Sequence, residues 1–343
     1  MRILIISDAW HPQVNGVVRT LSTVAAELES LGHRVEVIGP DRFRTVALPT
    51  YSSIRVALWP GRSLGAMIEA YQPDALHIAT EGPLGLVARR WAVRRGHAFT
   101  TAFHTRFPEY LHARTGMPLA LSYAWLRRFH NAGSAMMVAT GTLRQELSGR
   151  GFRTVRPWTR GVDLRRFQPM RGGALTRSGL PPVPRPVFLY VGRIAIEKNI
   201  GAFLSLDLPG TKVVVGDGPQ REALQQAHPD AVFLGERTGE DLARLYAAAD
   251  VFVFPSLTDT FGLVLLESLA SGTPIAAHPV TGPVDIMAGA APGVGALDHD
   301  LRAAALRALS GDRRACRAHA ERFSWRTCTD LFVSNLAVVR RPV

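Results

Sequence analysis

The 343-residue sequence predicts an α/β protein of two doubly wound domains, each with a parallel sheet, facing across a cleft. Three observations predict this. Short aliphatic runs alternate with amphipathic stretches, as strands and covering helices do. Strand, helix, strand, repeated along the chain, is the order of a parallel sheet covered on both faces. The alternation stops once, in a Pro- and Gly-rich stretch, and then restarts. The length fits two domains of about 100–200 residues each.

In the first half, RILIIS (2–7), RVEVIG (34–39), ALHIAT (75–80), AFTTAFH (98–104) and AMMVAT (135–140) read as strands. Helical patterns run through RTLSTVAAELESLG, ending at Gly32, and through LGLVARRWAVRRG (84–96). Residues 168–186, QPMRGGALTRSGLPPVPRP, have neither period and mark the interdomain connection. Strands resume at VFLYVG (187–192), KVVVGDG (212–218), AVFLG (231–235), VFVFPS (251–256) and PIAAHP (274–279). The segment 323–339 is a closing amphipathic helix. The expected organisation is a first domain over 1–165, a connection over 166–186, a second domain over 187–320 and a terminal helical segment over 321–343.

With 47% hydrophobic residues the chain has ample core material and no disorder signature. No apolar run reaches the roughly 18 residues of a membrane span. MRILIISDAW is interrupted at Asp8 too early for a secretory leader. Cys316 and Cys328 suit a reducing, cytoplasmic setting and read as inert structural thiols. The net charge of +12 favours an acidic partner such as a nucleotide, an anionic lipid or a nucleic acid. Nearly all the basic residues are arginine. Lysine occurs only at Lys198 and Lys212, so a compact ammonium at 198 invites a reason.

Ligands of doubly wound sheets bind beyond the carboxyl ends of the strands, so the loops there hold the candidates. VFLYVGRIAIEKNI ends a strand at Gly192 and presents Arg193 and Lys198, a fork and a point charge suited to a pyrophosphate. The alternative is a solvated surface loop. GDGP, with Gly216 and Asp217, lacks the third glycine of a dinucleotide fingerprint and reads as a tight turn that lets a ligand approach. PSLTDTFGLVLLESLASGTP predicts a helix from about Thr260 to a stop at Gly272. Amides near Phe261, Gly262 and Leu263 at its start suit phosphate. Asp259 and Glu267 lie eight positions apart, about 12 Å along an unbroken helix, and would hold hydroxyls at the two ends of a nucleotide sugar. The alternative is a capping Asp and one exposed Glu. His104 directly follows a strand and is a candidate catalytic group. Asn15-Gly16 suits a tight turn in the loop after the first strand.

Two further clusters mix aromatics with arginine: Trp91, Arg94 and Arg95 in RRWAVRR, and Tyr110, Trp125, Arg127 and Arg128 in YLHARTGMPLALSYAWLRRFH. They suit a surface that docks on anionic lipid, or else ordinary solvated helix faces. Asp298-His299-Asp300 has an Asp-x-Asp spacing, but its place before a helix favours capping over metal binding.

HPQVNGVVRT, FHTRFPEY, RGVDLRRFQP, YVGRIAIEKNI, GDGP, AADVFVFPS and TDTFGLVLLESLASGTP together resemble the family 4 retaining glycosyltransferases of the GT-B fold, over essentially the full length. The resemblance implies two Rossmann-like domains, with the terminal helix crossing back to the first. It implies that Arg193 and Lys198 bind the donor diphosphate, that Glu267 holds the ribose, and that Asn15-Gly16 closes over the phosphates. His104 would lie by the transferred sugar and acceptor. Asp259 stands where the family has the first Glu of its Glu-x7-Glu motif, at the donor sugar, one methylene shorter. Members need no metal or other cofactor and retain anomeric configuration. The sequence looks most like bacterial diacylglycerol glycosyltransferases and GDP-mannose-dependent mannosyltransferases. The expectation is transfer of glucose or glucuronate from a UDP-sugar to a lipid, diacylglycerol, at the inner face of the cytoplasmic membrane. The alternative is a GDP-mannose-dependent α-mannosyltransferase. A UDP-sugar epimerase of the same fold is remoter. So is a nucleic-acid-binding protein, for which no docking module is visible.

Overall fold

The computed structural model describes all residues except Val14, Pro49, Thr50, 171–179, Pro181 and 339–343. Of the expected connection over 166–186, residues 171–179 and Pro181 therefore lie outside the described residues. The chain forms two units, one of Met1–Arg160 with Trp325–Val343 and one of Gly161–Ser324. Both are parallel-sheet α/β units, as the sequence predicts.

The first unit holds β1 (Arg2–Ile6), β2 (Arg34–Ile38), β5 (Ala75–Ile78), β6 (Thr100–Phe103), β7 (Ala135–Val138) and β8 (Val155–Pro157) in one parallel sheet, ordered β2-β1-β5-β6-β7-β8. Its helices are α1 (Gly16–Ser30), α2 (Gly61–Tyr71), α3 (Pro83–Arg95), α4 (Phe107–Thr115), α5 (Leu119–His130) and α6 (Gly141–Gly149). Alternate β1 side chains serve opposite faces, as the two-residue strand period requires. Ile3 and Ile5 pack with Leu21, Val24 and Leu28 of α1 and with Phe332 of the closing helix Trp325–Asn335. Leu4 and Ile6 pack with Leu64 and Ile68 of α2 and with Ala88 and Ala92 of α3. Covering on both faces is the reason a run such as Ile3–Ile6 holds no polar residue. Unforeseen from the sequence is an antiparallel pair, β3 (Thr45–Leu48) with β4 (Tyr51–Ala57), outside the main sheet.

The second unit repeats the architecture with β9 (Val187–Val191), β10 (Thr211–Val215), β11 (Val232–Phe233), β12 (Val251–Phe254), β13 (Ile275–Ala277) and β14 (Gly295–Leu297), ordered β11-β10-β9-β12-β13-β14. Residues before β9 also pack here. Arg317 donates to the carbonyls of Leu164 and Phe167, which ties the start of the connection to the helix Arg313–Ala320. In this sheet the strand order reverses between β9 and β12, and loops leaving such neighbours diverge to form a crevice. In the first sheet the reversal lies between β1 and β5.

Candidate active site

The loops after β9, β10 and β12 carry the second unit's candidates. Gly192 N–H donates to Val215 O and Ile194 N–H to Asp217 O, so the first two loops lie against each other. Their approach needs a glycine: a Cβ on Gly216 would sit 1.9 Å from Gly192 O, and its φ is +140°. Asp217 is exposed, and its carboxylate accepts from the Gly218 N–H at 2.7 Å within its own loop. Tyr190 lies buried beneath, its hydroxyl donating to Arg193 O at 2.9 Å. Burial first, then the charges of Asp259 and Glu197, holds this phenol well above its ordinary range and keeps it protonated as a donor. Tyr190 thus supports the backbone that presents Arg193.

A 3₁₀ turn, Ile196–Lys198, follows. Asn199 Nδ2 donates to Pro255 O, joining this turn to the loop after β12. The same junction brings Lys198 Nζ to 2.5 Å from Asp259 Oδ1, with both side chains mostly enclosed. This is a charge-assisted hydrogen bond across the β9/β12 reversal. Asp259 Oδ2 is buried and has no hydrogen-bond partner among the described residues.

The helix after Asp259 spans Leu263–Ala270, three residues later than the sequence suggests. Gly262 at φ +92° is the reason, since a left-handed residue cannot continue a right-handed helix. The estimate of about 12 Å for an unbroken helix from 259 to 267 therefore does not apply: only 263–267 of that stretch is helical. Phe261 is buried, and the amides at the helix start belong to Leu263 and the residues after it. Glu267 is 1% exposed, among Leu265, Leu266 and Leu269. It is not the exposed glutamate of the alternative reading. The helix ends before Gly272, left-handed at φ +78°, where the sequence predicts the stop.

In the first unit His104 follows β6. Arg160 Nη2 lies 3.1 Å from His104 Nδ1, and the rings of His104 and Trp158 meet edge to face at 5.4 Å. Burial, then Arg160, His77 and His130, pulls the imidazole well below its ordinary value, so it is neutral. Asn15 does not form the tight turn expected of Asn-Gly. It is the N-cap of α1, its Oδ1 accepting from Val17 N–H and Val18 N–H, and Gly16 is the first helical residue.

Sequence reasoning missed three groups here. Arg160 was hidden in an arginine-rich segment. Asp8, just past β1, accepts from Thr80 Oγ1 and from the Leu84 and Gly85 amides, pinning the start of α3 at the sheet reversal. Arg106 bonds Glu109 and Glu146, and Tyr123 donates to Glu109 at 2.6 Å, which braces the segment after His104. A polar residue two or three places beyond each strand was the available signal.

The surface candidates fall on α3, α4 and α5. Arg95 stacks on Trp91, and both bond Glu69. Arg94 is exposed, and Tyr110 is half-buried. Arg89 of α3 donates to the Phe129 and Arg128 carbonyls, joining α3 to α5. Arg127 is exposed and donates to Arg150 O. Leu121 (63% exposed), Trp125 (43%) and exposed Arg128 recur at i, i+4 and i+7, one outward stripe of α5. Asp300 caps the helix Leu301–Ala308, and Asp298 pairs with Arg307, the capping arrangement read from the sequence. Burial raises the thiols of Cys316 to about 12 and Cys328 to about 11, so both are inert. Among the described residues no helix is long and apolar enough to cross a membrane.

Residues 14–166 match the family model "Glycosyltransferase Family 4" and residues 185–312 the model "Glycosyl transferases group 1". A GDP-mannose-dependent alpha-mannosyltransferase of Mycobacterium tuberculosis is 31% identical over 309 residues, covering 84% of this chain and 81% of that protein. The chain belongs to glycosyltransferase family 4. The Mycolicibacterium smegmatis protein of the same name as that relative is 32% identical, over 84% of this family 4 chain and 82% of its own. An alpha-monoglucosyldiacylglycerol synthase of Streptococcus pneumoniae is 29% identical, over 81% and 71%. Two solved structures share the glycosyltransferase's GT-B fold across 97% of its length. Sucrose-phosphate synthase from Thermosynechococcus elongatus has a TM-score of 0.73 at 21% identity, covered over 97%. Anabaena HepE, in complex with UDP and glucose, has a TM-score of 0.72 at 15% identity, covered over 98%. The glycosyltransferase is accordingly a hexosyltransferase.

Proposed function

We propose that this family 4 hexosyltransferase is a GDP-mannose-dependent α-mannosyltransferase acting on a lipid acceptor at an anionic membrane surface, with retention of configuration and without a metal. The relatives named as GDP-mannose-dependent, 31–32% identical over 84% of the chain, carry the donor assignment. A more distant relative is a phosphatidylinositol dimannoside mannosyltransferase, which supports a lipid acceptor, as does the outward Leu121/Trp125/Arg128 stripe. The monoglucosyldiacylglycerol synthase supports the second reading, a UDP-glucose donor with diacylglycerol.

In this reading Arg193, Lys198 and the amides at the start of the helix Leu263–Ala270 hold the diphosphate, and buried Glu267 holds the ribose. Gly216 lets the loop after β10 close on Gly192, which sets the backbone that presents Arg193. Cleavage of the sugar–phosphate bond leaves negative charge on the departing diphosphate, and preorganised cations there lower the barrier. Lys198 and Asp259 touch, which suits a ligand whose phosphate and hexose are joined by one oxygen: the ammonium serves the phosphate and the carboxylate the sugar. His104 meets the transferred sugar.

The test offers the purified protein GDP-mannose, UDP-glucose, UDP-glucuronate and UDP-galactose, each with lipid and soluble acceptors, and reads the product linkage by NMR. The expected product is an α-mannosylated lipid. Turnover of UDP-glucose with none of GDP-mannose would replace this reading by the second.

A further inference from the structure

We infer that Arg160 is a positioning residue that locks His104 in the neutral tautomer with its proton on Nε2, so that His104 donates a hydrogen bond to substrate and cannot serve as the base for the acceptor hydroxyl. The inference rests on the reading that His104 meets the transferred sugar.

The geometry decides the tautomer. A guanidinium has five N–H donors and no acceptor. Arg160 Nη2 and His104 Nδ1 lie 3.1 Å apart, so Nδ1 must offer its lone pair. A neutral imidazole with an accepting Nδ1 carries its hydrogen on Nε2. Arg160 is in turn held in place. It is 4% exposed, its Nη1 donates to the Trp158 and Thr159 carbonyls, and its guanidinium lies 4.4 Å from the centre of the Trp158 ring. Trp158 is fully buried against Phe332, and Cys328 Sγ donates to Thr159 O at 3.0 Å. These braces come from β8's exit and the closing helix, so the donor cannot swing away without disturbing the core.

The titratable groups around His104 reinforce the lock. Arg160 faces Nδ1. His77, on β5, is pushed down to about 3 and is neutral, its Nδ1 bonded to Thr100 Oγ1. His130, on α5, bonds Thr101 Oγ1 and Glu81. All three act on His104 in the same direction, keeping a second proton off the ring. The nitrogen that could accept a proton is thus occupied by Arg160, and the other already carries hydrogen.

Histidine-selective ¹⁵N labelling of the full chain, with long-range ¹H–¹⁵N correlation, reads the tautomer directly. His104 is expected to show Nε2–H throughout the range from about pH 5 to 8, without titrating. Arg160→Met should introduce an Nδ1–H or charged population and add an acid limb to kcat/KM. Arg160→Lys, which also only donates, should restore the native spectrum. A native His104 that titrates in this range or carries its proton on Nδ1 overturns the inference, whether or not the Arg160 variants fold.

The donor role has its own readout. The amide nitrogen of Gln reaches the place of Nε2, whereas that of Asn reaches only the place of Nδ1. His104→Gln should keep about tenfold more kcat/KM than His104→Asn, the worth of one hydrogen bond. Equal losses in both overturn the donor role. Native rates in both, with the tautomer as stated, overturn the placement of His104 at the sugar and reduce Arg160 to a structural brace.

Discussion

Lys198 Nζ lies 2.5 Å from Asp259 Oδ1, so the loops leaving β9 and β12 are tied by a charged hydrogen bond at the reversal of the second sheet. The pair gives a reason for lysine in a chain that otherwise uses arginine. A flexible stem with a point charge can bond a carboxylate and still turn to a phosphate, which a planar fork does less readily.

The pair should behave as a unit in catalysis. Lys198→Ala is expected to lower kcat by about 10²–10³-fold, as does loss of one preorganised charge at a leaving group, and Arg193→Ala comparably. Asp259 is mostly enclosed, so Lys198→Ala should also cost about 1–3 kcal/mol of stability by leaving the carboxylate unsatisfied, a loss that Asp259→Asn partly relieves. In a double-mutant cycle read by kcat/KM and thermal unfolding, the two changes should be non-additive. Strict additivity in both readouts would mean the contact matters to neither.

Gly216 should tolerate no side chain. A methyl there meets the Gly192 carbonyl at 1.9 Å, and the obstacle is backbone, which cannot rotate aside. Gly216→Ala is expected to lose at least about 2 kcal/mol, seen as a melting temperature lower by roughly 4–8 °C. Donor affinity should fall with it, because the β9 and β10 loops move apart. An unchanged melting curve would show that the two loops are not in register as described.

How much of this was legible depended on how far each feature lay from a buried strand. The core strands were plain, because sheets covered on both faces leave runs such as Ile3–Ile6 without a polar residue. Gly192 and Arg193 stood out because they follow such a run at once, and Lys198 because lysine is rare in this chain. The β3–β4 pair did not, since it is antiparallel and lies outside the main sheet, apart from the strand–helix alternation. Asn15-Gly16 carries both a turn signal and a capping signal. Capping wins because Asn15 stands directly before the amphipathic run of α1 and satisfies two of its open amides. The late start of the helix at Leu263 required knowing that Gly262 takes φ +92°, a conformation that glycine permits but does not announce. Arg160 was masked by its own kind: in so arginine-rich a chain, one more arginine before a linker carries no signal until its partner 56 residues away is seen.

The outward stripe of α5 should govern lipid docking. Vesicles rich in anionic lipid are expected to bind the native protein at low salt and release it as ionic strength shortens the reach of the arginines. Trp125→Glu, which replaces a side chain 43% exposed, should abolish sedimentation with vesicles while leaving turnover of a short, soluble acceptor intact. Equal sedimentation of native and variant protein would remove this face from the membrane reading.

Acid should weaken the first unit through His77. This imidazole is fully buried, rings against Trp158 and Phe332, and burial lowers it from an ordinary 6.5 to about 3. The unfolded chain takes up a proton as pH falls through about 6.5, whereas the native chain refuses it until about 3. Stability present above pH 6.5 is therefore lost progressively as pH falls between those values, at up to about 1.4 kcal/mol per unit, or about 2 kcal/mol by pH 5. His104, lowered chiefly by the same burial, adds to the slope in the same window. Urea unfolding at a series of pH values from about 7.5 to 5 measures this. His77→Phe keeps an aromatic ring against Trp158 and Phe332 but removes one titrating group, so its stability should fall less steeply by close to one proton. An identical slope for native and variant protein would show that His77 is protonated in the folded state and that the interior around Trp158 is open to water.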